Sequence, residues 1–138
     1  RDQLGLEGNV ELLDSLPHNK ALALYKDTDL FVLPSLEEGI ANVVLEAMAL
    51  GCPVLSSDCG GMEEVIEDGV NGLIFPALRT DVLVSQIQRF VAMPTHLIER
   101  LRENARETIR ANHLLDKQAS DMVRLYMSAI KGGIASQM

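Results

Sequence analysis

The sequence lacks the features that would place it in several functional classes. It has no apolar run approaching about 18 residues and no charged-then-apolar leader, so it predicts neither a membrane-spanning helix nor a signal peptide. Basic residues are few: twelve Lys and Arg stand against twenty Asp and Glu, which gives a net charge of −8. Because nonspecific binding to a phosphate backbone needs a basic surface, this balance argues against a nucleic-acid partner.

Cysteine is also scarce. Cys52 and Cys59 have neither the spacing of a metal knuckle nor that of a disulfide framework, and no His or Cys cluster suggests a metal site. We therefore expect two small buried thiols in a reducing compartment, a cytoplasmic location, and no metal or other cofactor. Peripheral attachment of a full-length protein to a membrane stays open.

The composition indicates one globular domain. With 138 residues, 47% of them hydrophobic and 23% charged, the chain can bury one ordinary core. We expect a single domain over residues 1–138. In this interpretation residues 1–78 form βα units that carry the functional site, and residues 79–138 form C-terminal helices.

Strand and helix patterns alternate along the first part of the chain. Residue patterns predict strands at 9–13, 30–33, 53–57 and 73–75, with helices from near Asn19, over 41–50 and over 62–67. The first of these helices is expected to carry Leu22, Leu24 and Tyr25 inward. Three helices follow at 81–92, capped by Thr80, at 95–111 and at 114–130. The last helix is expected to pack in the core or against another domain through a stripe of Leu115, Ala119, Met122, Tyr126 and Ala129. This alternation predicts an α/β fold with a doubly wound, Rossmann-like parallel sheet and helices on both faces.

The most informative stretch is PSLEEGIANVVLEAMALGCP, at residues 34–53. It predicts the end of a strand, a glycine turn that contains Glu38, and a helix that contains Glu46. Four residues between the two acids place backbone N–H groups at the start of this helix: Gly39, Ile40, Ala41 and Asn42. Free amides and the helix dipole together favour an anion. An anion flanked by two carboxylates suggests a phosphorylated sugar as the ligand.

A longer string, PSLEEGIANVVLEAMALGCPVLSSDCGGMEEVIEDGVNGLIF, resembles the C-terminal, donor-binding half of the retaining glycosyltransferases of family four. These enzymes have the two-domain GT-B fold. The resemblance covers about residues 10–75, and its diagnostic element is the pair Glu38 and Glu46 with seven residues between them. It implies transfer of a sugar, with retention, from a nucleotide-diphosphate sugar such as a UDP-sugar to an acceptor.

The resemblance also implies a role for each residue of the predicted site. Glu38 would be the catalytic candidate and would face the hydroxyls of the donor sugar. The amides of residues 39–42 would hold the diphosphate, and Glu46 would bind the ribose hydroxyls. A carboxylate suits these partners because it accepts two hydroxyl hydrogen bonds at once.

Parts of the family pattern are not found in this sequence. The 138 residues do not include the family's N-terminal acceptor domain or its Arg and Lys clamp for the diphosphate. They also do not include the first two strands of the family's donor-binding half. We therefore expect this chain alone to be inactive in transfer. A sheet without those strands would expose unpaired edges, which predicts a homodimer or larger assembly.

Some alternatives remain open from the sequence. The chain could be a non-catalytic module that binds a sugar nucleotide or serves assembly. Gly60 and Gly61 fit either a demand of the backbone or close approach of a substrate. His18 follows Pro17 and is interpreted as a loop histidine, although a histidine near the cleft could contact the ligand.

Overall fold

A computed structural model describes residues 2–135, apart from the side chains at 115 and 129–135. Its main elements are five helices and three strands. In chain order they are α1 His18–Asp27, β1 Phe31–Leu33, α2 Asn42–Leu50, β2 Val54–Ser57, β3 Leu73–Phe75, α3 Thr80–Val91, α4 Thr95–Asn112 and α5 Leu115–Ala135. Single 3-10 turns at Asp2–Leu4 and Met62–Glu64 complete the described elements.

The three strands form one parallel sheet in the order β1-β2-β3. The central strand β2 pairs with both neighbours, with Val54 opposite Phe31 and Leu55 opposite Leu73. All four residues of β2 are buried. Val54 and Leu55 supply apolar side chains to the two faces, and the buried hydroxyls of Ser56 and Ser57 each donate a hydrogen bond to a backbone carbonyl oxygen, so the buried polar atoms of the strand are satisfied.

Helices cover both faces of the sheet. Val54 belongs to a core cluster with residues of α1, α2 and α4, whereas its neighbour Leu55 belongs to a second cluster with Phe90 of α3. Side chains alternate between the faces of a strand, so the two clusters lie on opposite sides of β2. The predicted α/β fold, a parallel sheet with helices on both faces, is confirmed.

The strand predicted at 9–13 is wrong. These residues have no regular secondary structure, and Leu12 and Leu13 are 75% and 55% exposed. Within the described part of the chain no strand pairs with them, and β1 has its only partner in β2. An apolar pattern becomes a strand only where a neighbour takes up its backbone hydrogen bonds and covers one face. Neither condition is met here.

Two further predictions need correction. Leu24 was expected to point inward, but it is 47% exposed, whereas Tyr25 beside it is buried. The helix predicted at 62–67 is a single 3-10 turn, Met62–Glu64. This turn is short because the backbone N–H of Glu67 bonds to the side chain of Asn71 instead of continuing a helix.

The start of α3 also differs from the prediction. Thr80 is the first helical residue and forms no side-chain cap. The Arg79 guanidinium instead donates hydrogen bonds of 2.8 and 2.6 Å to the carboxylate of Asp81 in the first turn. These bonds lower the pKa of Asp81 to about 2, with a smaller contribution from the Arg79 charge and from backbone amides.

Helix α5 contributes no buried residue over 116–128. Its stripe was expected to pack in the core or against another domain, but Met122 and Tyr126 are 52% and 62% exposed, and the stripe positions 115 and 129 lie outside the described side chains. The predicted homodimer remains a prediction. Among the described helices, none combines the length and the apolar character that crossing a membrane requires.

Candidate functional site

Two glycine turns meet at the carboxyl ends of the strands. The first, at 34–41, follows β1, and the second, at 58–61, follows β2. Their backbones are joined by a hydrogen bond of 3.0 Å from the N–H of Gly61 to the carbonyl oxygen of Gly39. Ligands of open α/β sheets bind at these ends, so the turns lie where the sequence placed a site.

Gly60 is required by the close approach of the two turns. Its φ of +60° is in the left-handed region, and a Cβ at this position would lie 1.7 Å from the carbonyl oxygen of Glu38. A Cβ at Gly61 would lie 2.9 Å from Cγ1 of Ile40. Backbone packing therefore accounts for Gly60, and of the two alternatives left open by the sequence it is the one with direct geometric support.

The turn that contains Glu38 is anchored to the buried strand β2. The Ser57 hydroxyl, which is inaccessible to solvent, donates a hydrogen bond of 2.6 Å to the carbonyl oxygen of Ser35. The Ser35 hydroxyl in turn donates to Oε1 of Glu38 at 3.2 Å. Glu38 is exposed. Its carboxylate is thus positioned by the turn and still accessible to a ligand.

Unpaired backbone amides lie at the start of α2. The helix begins at Asn42, and the preceding residue, Ala41, makes no side-chain cap. Over residues 2–135 the backbone N–H groups of Gly39, Ile40, Ala41 and Asn42 have no hydrogen-bond partner, and the first helical bond is donated by the N–H of Val44. Four free donors and the positive end of the helix dipole point to an anion site.

Glu46 lies within α2, four residues after its first residue and so about 6 Å further along the helix axis. Oε1 of Glu46 is 2.9 Å from Nε2 of His18. A carboxylate only accepts hydrogen bonds, so Nε2 of His18 carries the hydrogen. The side chains of His18 and Glu46 are 69% and 30% exposed.

His18 is the site-adjacent residue that sequence analysis misplaced. It is the first residue of α1, not part of a loop, and its partner is 28 residues away in the chain. The contact depends on the packing of α1 against α2, which no local pattern reveals. The only available signal was the position of His18 directly after Pro17, where a helix can begin.

Tyr25 is a buried residue of α1 whose ionisation is influenced by the charge of Glu46. Its ring packs edge-on against Phe31 with 5.3 Å between ring centroids. Burial raises the pKa of Tyr25, and the negative charge of Glu46 raises it further. The Tyr25 hydroxyl therefore stays neutral through the physiological pH range.

Among the cavities in the described part of the chain, a small one lies beside the first glycine turn, although neither Glu38, residues 39–42 nor Glu46 lines it. This cavity, of about 200 Å³, opens at the carboxyl ends of the strands beside Ser35, Ser57 and Phe75. A larger one, of about 430 Å³, lies near Gly69 and Arg89, before the amino end of β3, and none of the predicted site residues lines it. The geometry of the turns, not cavity size, therefore identifies the site.

The chain is similar to known glycosyltransferases in sequence. Residues 1–108 match the family model described as Glycosyl transferases group 1. An alpha-D-kanosaminyltransferase from Streptomyces kanamyceticus is 30% identical, over 88% of this chain and 31% of that protein.

Solved structures agree with this match. A sucrose-phosphate synthase from Thermosynechococcus elongatus has a TM-score of 0.84 and 28% identity, over 95% of this chain and 33% of that one. The Anabaena protein HepE, in complex with UDP-glucose, has a TM-score of 0.82 and 25% identity, over 92% of this chain and 34% of that one. The chain thus spans about a third of the length of each of these relatives.

Proposed function

The chain belongs to the glycosyl transferases group 1, and we propose that it forms the donor-binding part of an enzyme that transfers a sugar from a nucleotide-diphosphate sugar to an acceptor with retention. One observation carries this proposal: the backbone N–H groups at the start of α2 have no hydrogen-bond partner, and they follow Glu38 in the turn and precede Glu46 in the helix. UDP-glucose, which is bound in the HepE structure, is the first donor to test.

The amides of residues 39–42 suit the diphosphate of the donor. Each N–H can donate to a phosphate oxygen, and the helix dipole favours negative charge at this end. When the bond to the sugar breaks, negative charge grows on the leaving diphosphate. Fixed donors that are already in place stabilise that charge without reorganisation, which lowers the barrier.

The two acids are proposed to bind different parts of the donor. Glu46, within α2, binds the ribose hydroxyls, and its free oxygen Oε2 is available for them because Oε1 is bonded to His18. Glu38, in the turn, binds the hydroxyls of the sugar being transferred and is the catalytic candidate. The Ser35 hydroxyl orients its carboxylate.

Substituting each acid separately tests these assignments. Glu46→Ala should weaken binding of UDP and of UDP-glucose by a similar amount, on the order of 1–3 kcal/mol for hydrogen bonds to a charged group. Glu38→Ala should spare UDP and weaken only UDP-glucose. Isothermal titration calorimetry with both ligands measures the effects. Glu37→Ala, which removes an exposed acid from the same turn, is the matched control. An equal loss of UDP affinity in Glu38→Ala and Glu46→Ala would contradict the assignment of the two acids to different parts of the donor.

We further propose that this chain alone does not transfer sugar. It spans about a third of its relatives, and a GT-B reaction takes place in a cleft between two halves, the other of which binds the acceptor. Holding both reactants in place is worth roughly 7–11 kcal/mol of the barrier. The purified chain, incubated with radiolabelled UDP-glucose and candidate acceptors, should give no product above a Glu38→Ala control. Product above that control would contradict the proposal.

A further inference from the structure

The contact between His18 and Glu46 joins the first residue of α1 to the middle of α2. It occupies one carboxylate oxygen of Glu46, at 2.9 Å. Within residues 2–135 the other oxygen, Oε2, has no hydrogen-bond partner. The pair therefore leaves one side of the carboxylate available to a ligand.

We propose that His18 is a positioning residue that holds the Glu46 carboxylate so that Oε2 is presented to the ribose diol of the donor. This rests on the proposed role of Glu46. A free glutamate side chain samples many rotamers, and a ligand must select one of them at a cost in entropy. A hydrogen bond that fixes the carboxylate before binding reduces that cost.

The position of His18 is itself fixed by packing. Pro17 precedes it with φ −55°, and the carbonyl oxygen of Pro17 accepts the first hydrogen bonds of α1. Further along α1, Leu22 and Tyr25 pack into the same core cluster as Val44 of α2. The imidazole therefore projects from a helix whose placement against α2 is set by buried contacts.

Because the side chains of His18 and Glu46 are partly exposed, a role of the pair in ligand binding can be distinguished from a role in the stability of the fold. Exposed ion pairs and hydrogen bonds contribute little to the stability of a fold, because water competes for both partners and ordering the side chains is costly. Removal of a 69% exposed imidazole should therefore leave unfolding almost unchanged. An effect on ribose binding then reports the orientation of Glu46 and not the integrity of α1.

The experiment is a double-mutant cycle on the full 138-residue chain, with UDP as the probe. His18→Ala should weaken UDP binding about three- to tenfold, and His18→Gln, which keeps a side-chain N–H donor, should recover most of the loss. In the Glu46→Ala background the His18→Ala change should have no effect. Asn19→Ala, at the next exposed position of α1, is the control.

A second probe, 2′,3′-dideoxy-UDP, removes the hydroxyls that Glu46 is proposed to bind. His18→Ala should leave its affinity unchanged. An equal loss with UDP and the dideoxy analogue, or an equal loss with and without Glu46, would overturn the inference. If His18→Ala binds UDP as well as the unsubstituted chain while Glu46→Ala does not, only this inference fails. If Glu46→Ala also leaves UDP affinity unchanged, the proposed function of the site fails with it.

Discussion

Replacing Gly60 with alanine is expected to lower the free energy of unfolding by roughly 2–5 kcal/mol. Two costs add at this position. The left-handed backbone, φ +60°, costs an L residue about 1–2 kcal/mol. The new Cβ would also lie 1.7 Å from the carbonyl oxygen of Glu38, so the backbone of one turn must move. Because that backbone carries Glu38, we expect folded molecules of this variant to bind UDP-glucose more weakly as well.

Two other glycines separate these costs. Gly69 has φ +75°, but a Cβ there would meet only the tip of the Arg89 side chain, which can move. Gly69→Ala should therefore show the backbone cost with little of the clash. Gly8→Ala, with open space and no left-handed φ, should be close to neutral. Urea unfolding followed by circular dichroism measures all three. A Gly60→Ala variant no less stable than Gly69→Ala would contradict the clash with Glu38.

Asn71→Ala is expected to destabilise the fold by roughly 2–4 kcal/mol. The side chain is 5% exposed and makes three hydrogen bonds. Its Oδ1 accepts from the N–H of Glu67 at 2.8 Å, and its Nδ2 donates to the carbonyl oxygen of Val65 at 2.9 Å and to the Thr108 hydroxyl at 3.0 Å. Truncation would leave partly buried backbone groups without partners, which costs more than the loss of the bonds alone.

Asn71→Asp refines the test because it keeps the shape and the acceptor for Glu67. It replaces the Nδ2 donor with a carboxylate oxygen that faces the Val65 carbonyl, so we expect it to be no more stable than Asn71→Ala. Asn104→Ala is the control: Asn104 donates one bond, of 2.8 Å, to the carbonyl oxygen of Val70, and should cost under about 1 kcal/mol. Thermal and urea unfolding of the three variants give the comparison. Equal losses in the free energy of unfolding for Asn71→Ala and Asn104→Ala would show that the buried hydrogen bonds of Asn71 contribute little to stability.

Local patterns predicted the central part of the fold well. The run LFVLP gave β1, and β3 was placed at its observed residues. The end of α2 was also predictable, since Gly51 has φ +75° and a glycine C-cap is what such a backbone needs. Residues 9–13 have a comparable apolar pattern but are exposed coil, because the burial and pairing that make a strand come from other parts of the chain.

The candidate site also has a part that local sequence patterns predict and a part that depends on contacts between distant residues. Glu38, the amides of residues 39–42 and Glu46 are close in sequence, so a turn followed by a helix was enough to place all of them within the turn and the first half of α2. The contact of His18 with Glu46 and that of Gly60 with Glu38 span 28 and 22 residues. Such contacts depend on how elements pack, and the sequence pattern at either end does not reveal them. The roles of these residues in binding and transfer stay predictions.

The hydrogen bond from Gly61 to Gly39 couples local opening of the second glycine turn to the position of the first. The amide proton of Gly61 can exchange with solvent only when the second turn separates from the first. A ligand that holds the first turn closed therefore slows exchange at Gly61, which belongs to the other turn. In a hydrogen-exchange experiment this one amide would report occupancy of the neighbouring turn and would distinguish a ligand bound there from one bound elsewhere on the surface.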